Sequence, residues 1–140
     1  MSRAVNRMPE KKKKFPCSCC QYYTQKQYEA DIRKITRILK GVDFDGIWAP
    51  PRGGLTPAVK LSHLMNLPWR KNPTKRSLIF DDIADTGKRL NAYAKKGYYI
   101  VTIFYHRQSS FEPNKWLREK KDKYIIFPWE KWQCAKKSPA

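Results

Sequence analysis

The chain has 140 residues, with 30 Lys and Arg against 12 Asp and Glu, a formal net charge of +18. That length suits one domain with a real core rather than two, and no apolar run reaches the roughly 18 residues that a membrane-spanning helix needs. The charge points to polyanionic partners, nucleic acid or phosphorylated metabolites, and leaves the fold open.

Residues 1–20 read as a basic, mobile arm: Arg3, Arg7 and Lys11 to Lys14 stand against a single acid, Glu10. One domain over residues 21–140 is expected to follow. The first residues lack an apolar h-region, so no secretory signal is read there. Cys17, Cys19 and Cys20 crowd together, and Cys134 stands far off. That pattern suits neither a disulfide framework nor the paired Cys-x-x-Cys knuckles of a zinc site. Reduced thiols in a cytoplasmic setting are expected.

Tyr28, Ile32, Ile35 and Leu39 recur at helical spacing and predict a helix from Gln25 to about Leu39. "FDGIWAP" predicts a short buried strand, Phe44 to Ala49, stopped by Pro50 and Pro51. "PRGGL" is a turn. "TPAVKLSHLMN" predicts a helix with Thr56 as N-cap and Pro57 in the first turn. "SLIF", Ser77 to Phe80, is a second buried strand, "DDIADTG" is a loop, and Thr86 to Lys96 is a helix closed by Gly97, with Arg89 on its outer face. "YYIVTIFYH" is rich in β-branched and aromatic residues and is the clearest strand. "QSSFEPNKWLREKKDK" is a polar excursion, and "YIIF" is a last strand, ended by Pro128. Apolar strands alternating with helices predict an α/β fold, a Rossmann-like parallel sheet flanked by helices.

In such a sheet, ligands bind at the carboxyl ends of the strands, where both unusual loops fall. In the second loop, Ile83, Ala84, Asp85, Thr86 and Gly87 let backbone N–H groups close around a phosphate, with Lys88 adding charge. Asp81 and Asp82 repel phosphate; vicinal sugar hydroxyls or a magnesium ion are their better partners. In the first loop, Arg52 suits phosphate oxygens, and Gly53 and Gly54 permit close backbone approach. No Gly-Lys-Ser/Thr follows a glycine-rich turn, so a P-loop fits poorly.

"DDIADTG" after an apolar strand resembles the phosphoribosyl-diphosphate signature of type I phosphoribosyltransferases. "PRGGL" resembles their diphosphate-binding loop, and "VTIFYH" and "YIIFPWE" resemble segments of xanthine-guanine and small xanthine/hypoxanthine phosphoribosyltransferases. The resemblance covers roughly Val42 to Trp129. It implies transfer of a 5-phosphoribosyl group from phosphoribosyl diphosphate to a 6-oxopurine, with magnesium, in a homodimer or homotetramer. It implies that Asp81 and Asp82 hold the ribose and the metal environment, with Asp82 nearest the metal. Residues from Ile83 to Lys88 would hold the 5-phosphate, and Asp85 would act as general base. Arg52, Gly53 and Gly54 would meet diphosphate across a non-proline cis peptide. Tyr124 would stack on the base and Ile125 would offer it backbone contacts.

The chain departs from this family in three places. His106, followed by Arg107, stands where the 6-oxopurine enzymes have a lysine for the purine's exocyclic oxygen. Lys88-Arg89 replaces small or hydroxyl residues. The segment between the two loops is short, which implies a reduced hood and flap. The surplus charge and the basic arm keep a second reading open: a regulator of this fold that binds nucleic acid with little or no catalysis.

Overall fold

The structure is a computed structural model that describes residues 19–130. These fall into two compact units: residues 29–120, and residues 19–28 together with 121–130. Most of the expected basic arm, with Cys17, Cys134 and the residues beyond Glu130, lies outside the described residues.

The larger unit is built on a sheet of four strands in the order β2-β3-β4-β5, parallel throughout. The strands are β2 (Ile47–Trp48), β3 (Leu78–Ala84), β4 (Tyr99–His106) and β5 (Lys115–Lys120). Leu78, Ile79 and Phe80 of β3 and Ile100, Val101, Ile103 and Phe104 of β4 are fully buried. A strand covered on both faces reads as a continuous apolar run, as "SLIF" and "IVTIF" do. The expected α/β architecture is observed.

Helix α1 (Gln25–Ile38) begins with a reciprocal cap. The Gln27 backbone N–H donates to Thr24 Oγ1 (3.1 Å), and the Thr24 N–H donates to Gln27 Oε1 (2.9 Å). Further along the helix, Ile32, Ile35 and Leu39 are buried, and Asp31, only 5% exposed, takes a bidentate grip from Arg118 of β5 at 2.6 and 3.3 Å. Helix α2 (Leu55–Met65) follows the Arg-Gly-Gly turn directly.

Several expectations are corrected. The strand expected over Phe44 to Ala49 shrinks to Ile47–Trp48, and Ile47 also bonds to the Pro68–Arg70 segment: Ile47 N–H donates to Pro68 O and Arg70 N–H to Ile47 O. Thr56 is not the N-cap of α2; Gly54 is, and no side chain caps it. β3 does not stop at Phe80 but runs on through both acids to Ala84. The helix expected from Thr86 is only α3 (Asn91–Lys95), since Gly87 adopts φ +85° and breaks the turn before it. The "polar excursion" contains β5, whose alternating charges hide it: it is an edge strand, where charged side chains remain half in water.

In the smaller unit, β1 (Cys20–Tyr22) pairs in parallel with β6 (Tyr124–Ile126). Tyr23, Tyr28, Phe127 and Trp129 pack edge-on and stacked around it. Cys19 and Cys20 are not the reduced thiols expected: both are disulfide-bonded, and not to one another, their sulfurs being 3.8 Å apart. The inference of a reducing compartment loses this support. Among the described residues, no helix is long and apolar enough to cross a membrane.

The Asp31–Arg118 pair ties α1 to the outermost strand. Removing a buried partner strands the other charge, though the arginine's partial exposure moderates the cost. Asp31→Ala is expected to lose about 2 kcal/mol of stability, read as a lower urea midpoint with an unchanged slope.

Candidate active site

β3 carries Asp81 and Asp82 into the interior at its carboxyl end; their relative exposures are 2% and 6%. Rigid neighbours on both sides hold them there, β2 with the turn that follows it and β4 with Thr102 opposite Asp81. The Asp82 backbone N–H donates to Asp81 Oδ1 at 2.9 Å. Arg89 Nη1 lies 3.7 Å from Asp81 Oδ2. Arg89 is therefore turned to the acids and not to the outer face of a helix, since no helix forms there to carry it outward.

The Arg-Gly-Gly turn closes over this pair. A Cβ on Gly53 would stand 2.6 Å from Asp82 Oδ2, and one on Gly54 would stand 2.9 Å from Asp81 Oδ1. Glycine is required at both positions by close approach. The peptide bond between Pro51 and Arg52 is cis, and the Arg52 side chain is exposed beside it. The two motifs, 29 positions apart in sequence (81 − 52), are in contact.

Burial sets the electrostatics. The Asp81 carboxyl is pushed well above the usual carboxylate range, first by desolvation and then by the charge of Asp82, with Arg89 opposing. Asp82 is raised as well, mainly by burial, against the stabilising effects of its bonding to Asp81 and of Arg89. Two adjacent buried acids with one half-exposed guanidinium are short of positive charge.

From Ala84 the chain turns outward and lines a cleft of about 210 Å³ with Asp81, Ile83, Asp85, Thr86, Gly87 and Lys88, closed by Arg89, Leu90 and Phe111. Ala84 and Leu90 are buried and anchor its two ends; Leu90 packs with Ile79 and Ile100. Thr86 Oγ1 accepts the Lys88 backbone N–H at 3.2 Å, so its own O–H points elsewhere as a donor. Gly87 packs beneath the β4–β5 connection: a Cβ there would stand 2.5 Å from Ser110 Oγ, and Ser110 N–H donates to Thr86 O at 2.9 Å.

The remaining candidates are placed as follows. Asp85 Oδ1 accepts from Gln108 Nε2 at 3.0 Å and faces Lys120 Nζ at 3.5 Å. His106 ends β4, and its Nδ1 accepts the Gln108 backbone N–H at 3.1 Å. Arg107, the alternative to His106, is committed to Glu119 at 2.7 Å. Tyr124, half exposed, and Ile125, buried, belong to the smaller unit. The sequence reading missed Gln108, Ser110 and Lys120. Their signal is the parallel register of β5 on β4, which pairs His106 with Lys120 and cannot be read without recognising β5.

The raised acids carry a stability consequence. A carboxyl whose pKa is higher in the folded state stabilises the fold below its unfolded value, 3.8, and withdraws that stability as pH rises through its folded value. Asp81→Asn is expected to raise Tm near pH 7 by about 4 °C for each kcal/mol recovered, and to change it little near about pH 4. Thermal scans at the two pH values check this.

No family model and no curated protein sequence matches the chain. Among solved structures, a purine phosphoribosyltransferase from Pyrococcus horikoshii is similar at 26% identity and TM-score 0.72, covering 82% of this chain and 96% of that one. A Helicobacter pylori xanthine-guanine-hypoxanthine phosphoribosyltransferase is similar at 21% identity and TM-score 0.66, over 76% and 89%. A hypothetical protein from Neisseria gonorrhoeae with bound ppGpp is similar at 16% identity and TM-score 0.60, over 80% and 90%. Adenine and orotate phosphoribosyltransferases also match. With Asp81, Asp82 and the Arg52–Gly54 turn gathered at the carboxyl ends of its parallel sheet, the chain has the fold of the type I phosphoribosyltransferases.

Proposed function

We propose that the protein transfers the 5-phosphoribosyl group of phosphoribosyl diphosphate to a ring nitrogen of a 6-oxopurine (guanine, xanthine or hypoxanthine) and releases diphosphate. The observation that carries this reading is the buried pair Asp81 and Asp82, covered by Gly53 and Gly54, with Asp81 lining the cleft of residues 83–90. Acids beside a loop of open backbone donors match a ligand that presents hydroxyls next to a phosphate. The 26% identical neighbour is a purine phosphoribosyltransferase, which supports a purine as the acceptor.

Magnesium fits this site. Two adjacent carboxylates, under-neutralised by Arg89, suit a cation that takes one or two carboxylates and completes its shell with water and substrate oxygens. Among the described residues, no group of three His, Cys, Asp or Glu forms a fuller cage. Asp81 and Asp82 would hold the ion, which supplies charge neutralisation for a departing diphosphate.

The chain's own residues do the rest. The backbone of Asp85 to Lys88 and the Thr86 hydroxyl bind the 5-phosphate, and Lys88 offsets its charge. Arg52 and the backbone of the glycine turn bind the diphosphate. As the bond from the sugar's anomeric carbon to diphosphate breaks, a bond to the purine nitrogen forms, and Asp85 accepts the proton that this nitrogen loses. Leu90 and Phe111 keep one wall of the cleft dry. The nucleobase roles of Tyr124 and Ile125 rest on the sequence resemblance.

A second reading, a nucleic-acid-binding regulator of this fold, is favoured by the net charge of +18 and by Lys26, Arg33, Lys34, Arg37 and Lys40, all exposed along and just after α1. It predicts salt-dependent binding of RNA or DNA, whose affinity falls steeply between low and physiological salt; no binding at low salt removes it.

The enzymatic reading predicts nucleotide formation from phosphoribosyl diphosphate with at least one of guanine, xanthine and hypoxanthine. In Asp85→Asn, kcat is expected to fall about 100-fold while KM for phosphoribosyl diphosphate stays near the wild-type value. No turnover with any base by folded wild-type protein would refute it.

A further inference from the structure

We infer that Arg89 is a built-in counter-ion that competes with a divalent cation for Asp81 and Asp82, and that a sugar phosphate in the cleft draws it away. Phosphate and cation then strengthen each other's binding through the movement of one side chain. The inference rests on the sugar-phosphate reading above and assigns a role to an arginine that this chain carries where its resemblance calls for a small or hydroxyl residue.

Two acids enter the interior at the end of β3, and one guanidinium answers them. Among the described residues, Arg89 is the cation in ion-pair contact with the pair, its Nη1 3.7 Å from Asp81 Oδ2. That distance is too long for a hydrogen bond. The Asp81 side chain is 3% exposed and that of Arg89 52%. The guanidinium thus stands at the pair half in water, by charge alone, and such a contact is weak. The Gly53–Gly54 turn lies against the acids too closely for any side chain. A divalent cation that reaches the acids meets Arg89 at short range, and the two like charges repel.

The backbone leaves this side chain free to move by itself. Leu90, the next residue, is buried with Ile79 and Ile100, and Gly87 sets the turn before it at φ +85°. Arg89 lies between these anchors and needs only a change of rotamer. Its second partner would lie in the same space: Asp81, Thr86, Gly87, Lys88 and Arg89 line one cleft of about 210 Å³. A phosphate held by the loop offers the guanidinium two parallel hydrogen bonds, against one long contact with Asp81. Once Arg89 turns to the phosphate, the buried acids have lost their counter-ion and hold a divalent cation more tightly. The effect is reciprocal: a cation that displaces Arg89 releases it to the phosphate.

The test titrates wild type, Arg89→Met and Lys95→Met with Mn2+, which shares magnesium's preference for oxygen ligands. Bound and free Mn2+ are counted by electron paramagnetic resonance, with and without ribose 5-phosphate. Lys95 is exposed on α3, so its variant removes the same unit of charge away from the acids. Ribose 5-phosphate is expected to tighten Mn2+ binding to wild type about 10-fold. Arg89→Met is expected to bind Mn2+ about 10-fold tighter than wild type without the sugar phosphate, and to lose most of the enhancement with it. Lys95→Met is expected to match wild type. Equal Mn2+ affinity of wild type and Arg89→Met in the free protein would overturn the inference. So would an undiminished enhancement in Arg89→Met, or an equal gain in Lys95→Met. If wild type binds no ribose 5-phosphate, the sugar-phosphate reading fails, and the free-protein comparison decides the counter-ion role alone. If Arg89→Met does not fold, Arg89→Gln takes its place under the same criteria.

Discussion

The burial of two adjacent carboxylates at the end of β3 is the constraint on which the rest of this site depends. Desolvation makes that arrangement costly, and nothing in the fold of β3 requires it; Leu78 to Phe80 already supply the strand's buried apolar surface. The cost is tolerable only because the surrounding structure leaves the acids no other place. The glycine turn lies against them too closely for any side chain, and Arg89 approaches from the loop. A cation or a set of sugar hydroxyls would relieve both carboxylates at once. Unfavourable local chemistry held by a rigid sheet is a mark of a working site.

The same constraint orders the neighbouring elements. The short β2 delivers the Arg-Gly-Gly turn to the acids, and α2 starts without a side-chain cap because the turn's geometry serves the acids first. Beyond Ala84, Gly87 lets the chain curl at positive φ beneath Ser110. A longer helix starting at Thr86 would have carried Arg89 away from Asp81 and closed the cleft. The reduction of the expected helix to five residues is thus part of the site's construction.

The sequence made the chemistry more legible than the geometry. Apolar runs located β3 and β4, and the helical spacing of Tyr28, Ile32, Ile35 and Leu39 located α1 almost to its ends. The acid pair and the two glycines were recognisable because few structural roles call for those residue types together. β5 was not, because Lys115, Arg118, Glu119 and Lys120 on an edge strand carry the polarity of a loop, and its eight-residue connection from β4 (residues 107–114) is shorter than most parallel crossovers. With β5 unseen, Lys120 and Gln108 could not be placed beside Asp85. At Asp81 and Asp82 local polarity predicts a loop and argues against burial; only contact with a turn distant in sequence makes them interior. The smaller unit shows the same limit: β1 is three residues long and is defined by its pairing with β6.

The central claim is that the glycine turn and the loop after β3 form one site for a phosphorylated sugar. Amide hydrogen exchange with and without phosphoribosyl diphosphate and magnesium tests it most directly. Protection is expected to rise at Arg52 to Gly54 and at Asp85 to Leu90 together, with α1 unchanged. Protection confined to the exposed cations of α1, or absent from both loops at saturating ligand, would contradict it.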